Sequence, residues 1–138
     1  MSTRLKEREE KIQHVLEWLI EESSKGTPII VEGKKDVETL RQLGVRGEII
    51  TAKTGGKSQL DVISEVEEFG VKEVIMLLDF DRRGREWTEM LRQRLERAKT
   101  KPNLTFWNEL LKLAGKEVKD VESLAAYMQT LKRKLGEA

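Results

Sequence analysis

The stretch Glu73-Val74-Ile75-Met76-Leu77-Leu78-Asp79-Phe80-Asp81 decides the reading of this chain. An unbroken apolar run from Val74 to Leu78 suits a strand buried on both faces, because a strand with one wet face would alternate apolar with polar residues. Two carboxylates close the run, Asp79 and Asp81, and side chains two residues apart point to the same side if the backbone is still extended there. A buried strand that turns acidic at its carboxyl end sets charge at the rim of a sheet, where α/β folds bind their ligands.

The same grammar repeats on either side. Upstream, Ile29-Ile30-Val31 is a β-branched run ending in Glu32-Gly33, and Glu48-Ile49-Ile50-Thr51 is a second strand. Between them Val37 and Leu40 fall at helical spacing up to Leu43-Gly44. A Thr54-Gly55-Gly56-Lys57-Ser58 loop then leads into a helix carrying Leu60, Ile63 and Val66 and closed by Gly70. Downstream, Trp87, Leu91, Leu95 and Ala98 mark the buried face of a further helix, and Leu104-Thr105-Phe106-Trp107 is expected as a short fourth strand. Apolar stripes at helical spacing also predict an opening helix over about 3–24 and a closing one over about 120–135. Strands alternating with helices imply a parallel sheet with right-handed crossovers. The expected class is α/β and Rossmann-like: about four parallel strands in the order 2-1-3-4, flanked by helices. One domain spans 1–138, with a core over about 28–113 and added N- and C-terminal helices.

In that order the first and third strands are neighbours, and the ligand crevice opens at their carboxyl ends. Glu32 then faces Asp79 and Asp81. Three ionised carboxylates about 5 Å apart repel by roughly 3 kcal/mol per pair at an effective dielectric near 20. A divalent cation removes that conflict, and Mg²⁺ suits it: this hard ion takes oxygen ligands, uses one or two carboxylates, and keeps water and phosphate oxygens elsewhere. Mn²⁺ is the alternative. Taken singly, strand-end acids serve equally well as helix caps or as partners of lysines.

Together, Ile29-Ile30-Val31-Glu32-Gly33 and Leu77-Leu78-Asp79-Phe80-Asp81 resemble the Toprim family, the catalytic module shared by type IA and type II topoisomerases, bacterial primases, certain nucleases and 5S ribosomal RNA maturases. Arg82-Arg83-Gly84 resembles the nuclease and maturase branch, and Gly55-Gly56 stands where the family has a small-residue loop. The resemblance runs closest to the small archaeal stand-alone Toprim proteins. It implies that Glu32 is the general acid or base and that Asp79 and Asp81 hold Mg²⁺. Arg83 stands where many members carry a third Asp, which leaves a second metal site without that ligand.

Lys34, Lys35, Lys53, Lys57, Arg82, Arg83 and Arg85 all fall in loops at the same expected end of the sheet. Such a rim suits phosphate, with helix N-termini adding backbone N–H groups and a favourable dipole. Gly33, Lys34, Gly55, Gly56, Lys57, Arg82 and Arg83 are the expected phosphate or nucleic-acid contacts. The Gly55-Gly56-Lys57-Ser58 run is no Walker A loop, because its first glycine belongs at position 51, occupied by Thr51. Ser58 followed by Asp61 is instead a helix N-cap arrangement. The LLDFD motif also resembles that of haloacid-dehalogenase-type phosphatases, but there it lies on the first strand and is followed by Thr or Val, not by Arg82. His14 has no partner motif, and Trp18, Trp87 and Trp107 are expected as packing anchors.

Composition narrows the chemistry. No cysteine and a single histidine among 138 residues exclude thiolate zinc sites, cysteine nucleophiles and histidine-rich metal centres. The 26 basic residues nearly balance 25 acidic ones, so a polyanion has to be held by a local patch. No apolar run approaches the roughly 20 residues that span a bilayer, and a cytoplasmic protein without membrane partner is expected. The function expected is Mg²⁺-dependent phosphodiester chemistry on RNA or DNA, nuclease-like in kind. Tyr127, the single tyrosine, lies on the closing helix and is unsuited to a topoisomerase intermediate. The alternative is a non-catalytic, metal-dependent module that binds a nucleotide or nucleic acid within a larger protein assembly.

Overall fold

The apolar runs that end in acids become the middle of a parallel sheet. The computed structural model describes residues 3–136. Its elements are α1 (Thr3–Ser24), β1 (Ile29–Val31), α2 (Lys34–Leu43), β2 (Ile49–Thr51), α3 (Gln59–Phe69), β3 (Glu73–Met76), α4 (Arg82–Arg97), β4 (Lys101–Asn103), α5 (Thr105–Ala114) and α6 (Val121–Lys134). The four strands lie in the order β2-β1-β3-β4 and all pair in parallel, with Ile29 opposite both Ile49 and Ile75.

The two-residue period of a strand sorts the core into two layers. Ile29, Val31, Ile75 and Leu77 pack on one face against Leu16 of α1, Leu40 of α2, Phe106 of α5 and Leu124 of α6. Ile30, Val74, Met76 and Leu78 pack on the other, against Val62 and Val66 of α3 and Leu91 and Leu95 of α4. Right-handed crossovers require this division. The chain crosses from β1 to β2 in one direction, with α2 on the first face. It returns past β1 to β3 and β4 in the other direction, with α3 and α4 on the second face. The reversal falls between β1 and β3, which makes their carboxyl ends the crevice of the fold.

One element differs from the expectation. Leu104-Thr105-Phe106-Trp107 is not a strand: β4 is Lys101–Asn103, and α5 begins at Thr105. Pro102 has no N–H to give, which an edge strand tolerates because only β3 pairs with it. The Asn103 side-chain oxygen then accepts the Thr105 N–H at 2.9 Å and turns the chain into the helix. Phe106 and Leu110, four residues apart, bury completely on one helical stripe. No described helix is long and apolar enough to cross a membrane.

Candidate metal centre

Glu32 follows β1 directly, at the crevice. Its Oε2 pairs with Lys53 Nζ at 3.1 Å, and the Lys53 N–H donates to the Glu32 backbone oxygen at 3.1 Å as the chain leaves β2. Lys53 Nζ also lies 4.7 Å from the ring centroid of Trp87 on α4, a cation–π contact that holds the ammonium in place. The second carboxylate oxygen, Oε1, is buried and has no hydrogen-bond partner. A buried, unpartnered anionic oxygen is costly unless something else ligates it. Gly33 opens α2, and its N–H donates to Asp36 Oδ2 at 3.2 Å.

At the other strand end the chain departs from extended geometry. Leu78 packs with the α3–α4 layer and Phe80, two residues on, with the opposite layer. The extended spacing that would set Asp79 and Asp81 side by side therefore does not hold. Asp81 is the N-cap of α4: its Oδ1 accepts the Gly84 N–H at 2.8 Å, and the residue is exposed. Asp79 is half-buried. Burial first, and then the charges of Glu32, Asp36, Asp120 and Asp81, push its carboxyl up to about 7.

The Asp79 segment is fastened by groups outside the acidic motif. Trp107 Nε1 donates to the Leu78 carbonyl at 2.9 Å, and the Phe80 N–H donates to the Lys119 carbonyl at 2.6 Å. Gly84 lets α4 lie against the strand end, since a Cβ there would sit 2.2 Å from the Asp79 carbonyl oxygen. Asp36 and Asp120 belong to the same electrostatic neighbourhood, and sequence reasoning passed over both. Asp36 is buried, its carboxyl raised chiefly by that burial, and its Oδ1 accepts the Glu122 N–H at 3.3 Å. Asp120 is the N-cap of α6. Both lie at helix starts, where Asp is common as a cap.

The donor set fits a hard divalent cation in its chemistry. Every candidate ligand is a carboxylate, Glu32 offers an oxygen with nothing bound to it, and Asp79 stands among four other acids. Among the described residues, however, no three His, Cys, Asp or Glu side chains form a group that could hold a metal ion. A cation here would draw ligands from water and substrate as well as from the chain.

The basic rim divides. Lys34 and Arg83 are exposed and have no ion pair among the described residues, whereas Arg82 meets Glu86 at 3.5 Å. Lys57 is committed elsewhere, paired with Glu65 and donating to the Thr51 carbonyl at 3.0 Å. Gly55 and Gly56 both take positive φ, 72° and 74°, which a turn of this shape requires of glycine. A Cβ at Gly33, Gly55 or Gly56 would meet nothing within 4 Å, so the backbone at all three is open to an incoming group. Ser58 caps α3, accepting the Asp61 N–H at 3.2 Å. His14 is exposed on α1, and Trp18 packs edge-on against Phe106 with ring centroids 4.6 Å apart.

Known proteins match this chain closely enough to place it. A Toprim domain profile matches residues 27–110. The UPF0292 protein of Methanosarcina barkeri is 37% identical over 131 residues, covering 95% of this chain and 90% of its own length. The UPF0292 protein of Methanocaldococcus jannaschii is 41% identical over 121 residues, covering 86% of this chain and 91% of its own. A protein of solved structure from Aquifex aeolicus shares the fold, with a TM-score of 0.67 at 24% identity over 80% of this chain and 94% of its own. Toprim domains generally bind divalent metals, and the match associates the chain with metal-dependent, nucleic-acid-related activity. With the acidic residues at the switch point and a profile spanning all four strands of the sheet, the chain belongs to the Toprim domain family, beside the archaeal UPF0292 proteins.

Proposed function

We propose that the protein is a Mg²⁺-dependent enzyme that hydrolyses phosphodiester bonds in nucleic acid. In this reading the cation draws its carboxylate ligands from Asp79, Asp81 and Glu32 without all three closing on it at once, water and substrate oxygens complete its shell, and Glu32 also carries the proton. The observation that supports it most is the unpartnered, buried Oε1 of Glu32 beside the half-buried Asp79. Bound Mg²⁺ supplies charge stabilisation at phosphorus and at the leaving oxygen. Glu32, fixed through Oε2 by Lys53, leaves Oε1 to take a proton from the attacking water and return it to the leaving group. Lys34, Arg82, Arg83 and the open backbone at Gly33, Gly55 and Gly56 receive phosphate oxygens, while Lys57 shapes the glycine turn and borders the same phosphates. Mn²⁺ serves as the substitute ion, and the proposed setting is the cytoplasm.

The experiment is cleavage of labelled RNA and DNA by the purified chain with and without Mg²⁺ or Mn²⁺, beside an Asp79→Asn variant. Cleavage that needs the metal and disappears in the variant is the expected result. No cleavage under any metal would overturn hydrolysis. A second reading draws on a specific observation: Asp81 already serves as a helix cap, and no three-side-chain metal cage is assembled among the described residues. That favours a module that binds a nucleic-acid end or nucleotide together with its metal, within a larger assembly. Metal-dependent binding of the labelled strands without turnover would select it.

A further inference from the structure

Two hollows beside the acidic site, of about 550 Å³ and about 490 Å³, share Arg85, Gly115, Lys116 and Glu117 and so form one groove. It begins at Phe80-Asp81, passes Arg85 and Lys119, and follows the α5–α6 loop toward Lys112 and Arg8. Most of this wall lies beyond residues 27–110, the part matched by the family profile. The wall is fastened to the acidic segment, because the Lys119 carbonyl accepts the Phe80 N–H. Arg85 is tied to it from the other side, its N–H donating to the Asp81 carbonyl at 2.9 Å.

The groove carries more positive charge than its own acids balance. Glu117 is taken by Arg8 at 3.4 Å, and Lys112 meets Glu109 at 3.7 Å. Arg85, Lys116 and Lys119 are exposed and have no ion pair among the described residues. Three uncompensated cations along a concave path that ends at an acidic site match a chain of phosphates, not a single anion. No Trp or Tyr lines the groove, and Phe80 is 2% exposed, so no base-stacking platform is present there. The volumes are those of a small-ligand cleft, into which a flexible strand fits and on whose rim a rigid duplex would rest.

We propose that this groove holds the phosphodiester backbone of a single-stranded polynucleotide and leads it to the acidic site, independently of base sequence. The inference rests on the nucleic-acid reading above, and its test is run without metal so that the two can fail separately. The full chain is titrated into fluorescently labelled single-stranded RNA and DNA 12-mers, and into the DNA 12-mer annealed as a duplex, in chelator, at several salt concentrations, with anisotropy as readout. The wild type is compared with an Arg85→Ala/Lys116→Ala/Lys119→Ala variant. The control is Lys72→Ala/Arg97→Ala/Lys101→Ala, which removes equal charge from exposed positions at the opposite end of the sheet.

The groove variant is expected to lose at least tenfold in affinity at about 0.1 M salt and to flatten the log–log salt slope by about 2, roughly 0.7 per lost phosphate contact. The control should change affinity less than twofold, and RNA and DNA should behave alike because phosphate is the group read. Mn²⁺ uptake measured by calorimetry should be the same in all three proteins. Lys116→Glu alone, checked by circular dichroism, replaces the triple variant if that fails to fold and should show the same direction of change. Equal losses in groove variant and control, wild-type affinity in the groove variant, no strand binding by the wild type, or tighter binding of the duplex would each overturn the proposal. Absence of Mn²⁺ uptake by a wild type that still binds strands in chelator would strike only the metal reading.

Discussion

The two strand ends that make the candidate site are held in opposite ways. At the end of β1, Glu32 is fixed by its near neighbours: Lys53 on the adjoining strand end supplies both a backbone and a side-chain contact, and Trp87 holds the lysine. At the end of β3, Asp79 and Asp81 sit on a segment that has left the sheet and is pinned from a distance, by Trp107 of α5 and the carbonyl of Lys119. The first arrangement is compact and pre-paired; the second depends on the C-terminal helices docking correctly. The β1 end is thus built to place one reactive oxygen, and the β3 end to hold charge in a place that packing sets.

The largest effect expected from that contrast is chemical. Glu32→Gln keeps the shape and the buried position but cannot exchange the proton, so turnover should fall by roughly 10² to 10⁴ while Mn²⁺ affinity stays within a few-fold. Single-turnover cleavage beside calorimetry checks this, and full turnover by the variant would remove Glu32 from the mechanism. Next in size is Gly84→Ala. Its Cβ would lie 2.2 Å from the Asp79 carbonyl oxygen and 2.7 Å from the Asp79 Cβ, neither the end of a flexible side chain. Relief requires α4 or the strand end to shift, at a cost of about 1–3 kcal/mol in unfolding free energy. Metal affinity should drop with it, and unchanged stability in urea melts would show that the contact yields freely.

Trp107→Phe is the milder probe of the same end. The ring packing largely survives, but the buried Leu78 carbonyl loses its donor, which costs about 1–2 kcal/mol. Metal affinity should weaken several-fold. In the Lys53→Met variant metal affinity should instead hold, with the loss appearing in turnover. Equal responses of the two variants in both measurements would erase the distinction between the strand ends.

Much of this was legible in the sequence because the decisive signals are local. An apolar run ending in an acid reads the same in one dimension as in three, and the two such runs, ending at Glu32 and Asp79, mark the neighbouring strands β1 and β3 at the switch point of a sheet ordered 2-1-3-4. What stayed hidden depends on contacts between distant segments. Asp36 and Asp120 meet Asp79 only after α2 and α6 have docked. Leu104 to Trp107 is a short apolar run, which periodicity cannot assign to strand or helix, and Asn103 settles it by capping the turn. The Asp81 cap was visible in principle as an Asp three residues before Gly84, but the extended reading of the motif obscured it.

The smallest effect expected is the most discriminating for Asp79, because it separates the metal-free molecule from the loaded one. Folding raises this carboxyl from 3.8 to about 7, so the folded state disfavours its ionised form. Below pH 3.8 the group is protonated in folded and unfolded chains alike, and no penalty arises. Between about pH 4 and 7 the unfolded chain releases the proton while the folded one keeps it, so stability in chelator falls as pH rises, and it levels off above 7. Asp61 and Glu89, both held below their ordinary values by hydrogen bonds, act with the opposite sign, and their changes lie at lower pH. Solvent screening at a half-buried group reduces the Asp79 effect to the order of 1 kcal/mol, which is roughly 3–5 °C in melting temperature for a chain of this size. Asp36, which burial also raises, adds a fall of the same sign, so Asp79→Asn should lessen the fall without abolishing it, which makes the difference between wild-type and variant melting curves the quantity to follow. Adding Mg²⁺ at pH 7.5 should then raise the melting temperature of the wild type, by stabilising the ionised carboxylate, and leave the variant nearly unmoved. A wild-type curve that is flat from pH 4 to 7 in chelator would mean that Asp79 is solvated well enough to ionise normally. In that case a bound cation would gain nothing from relieving it.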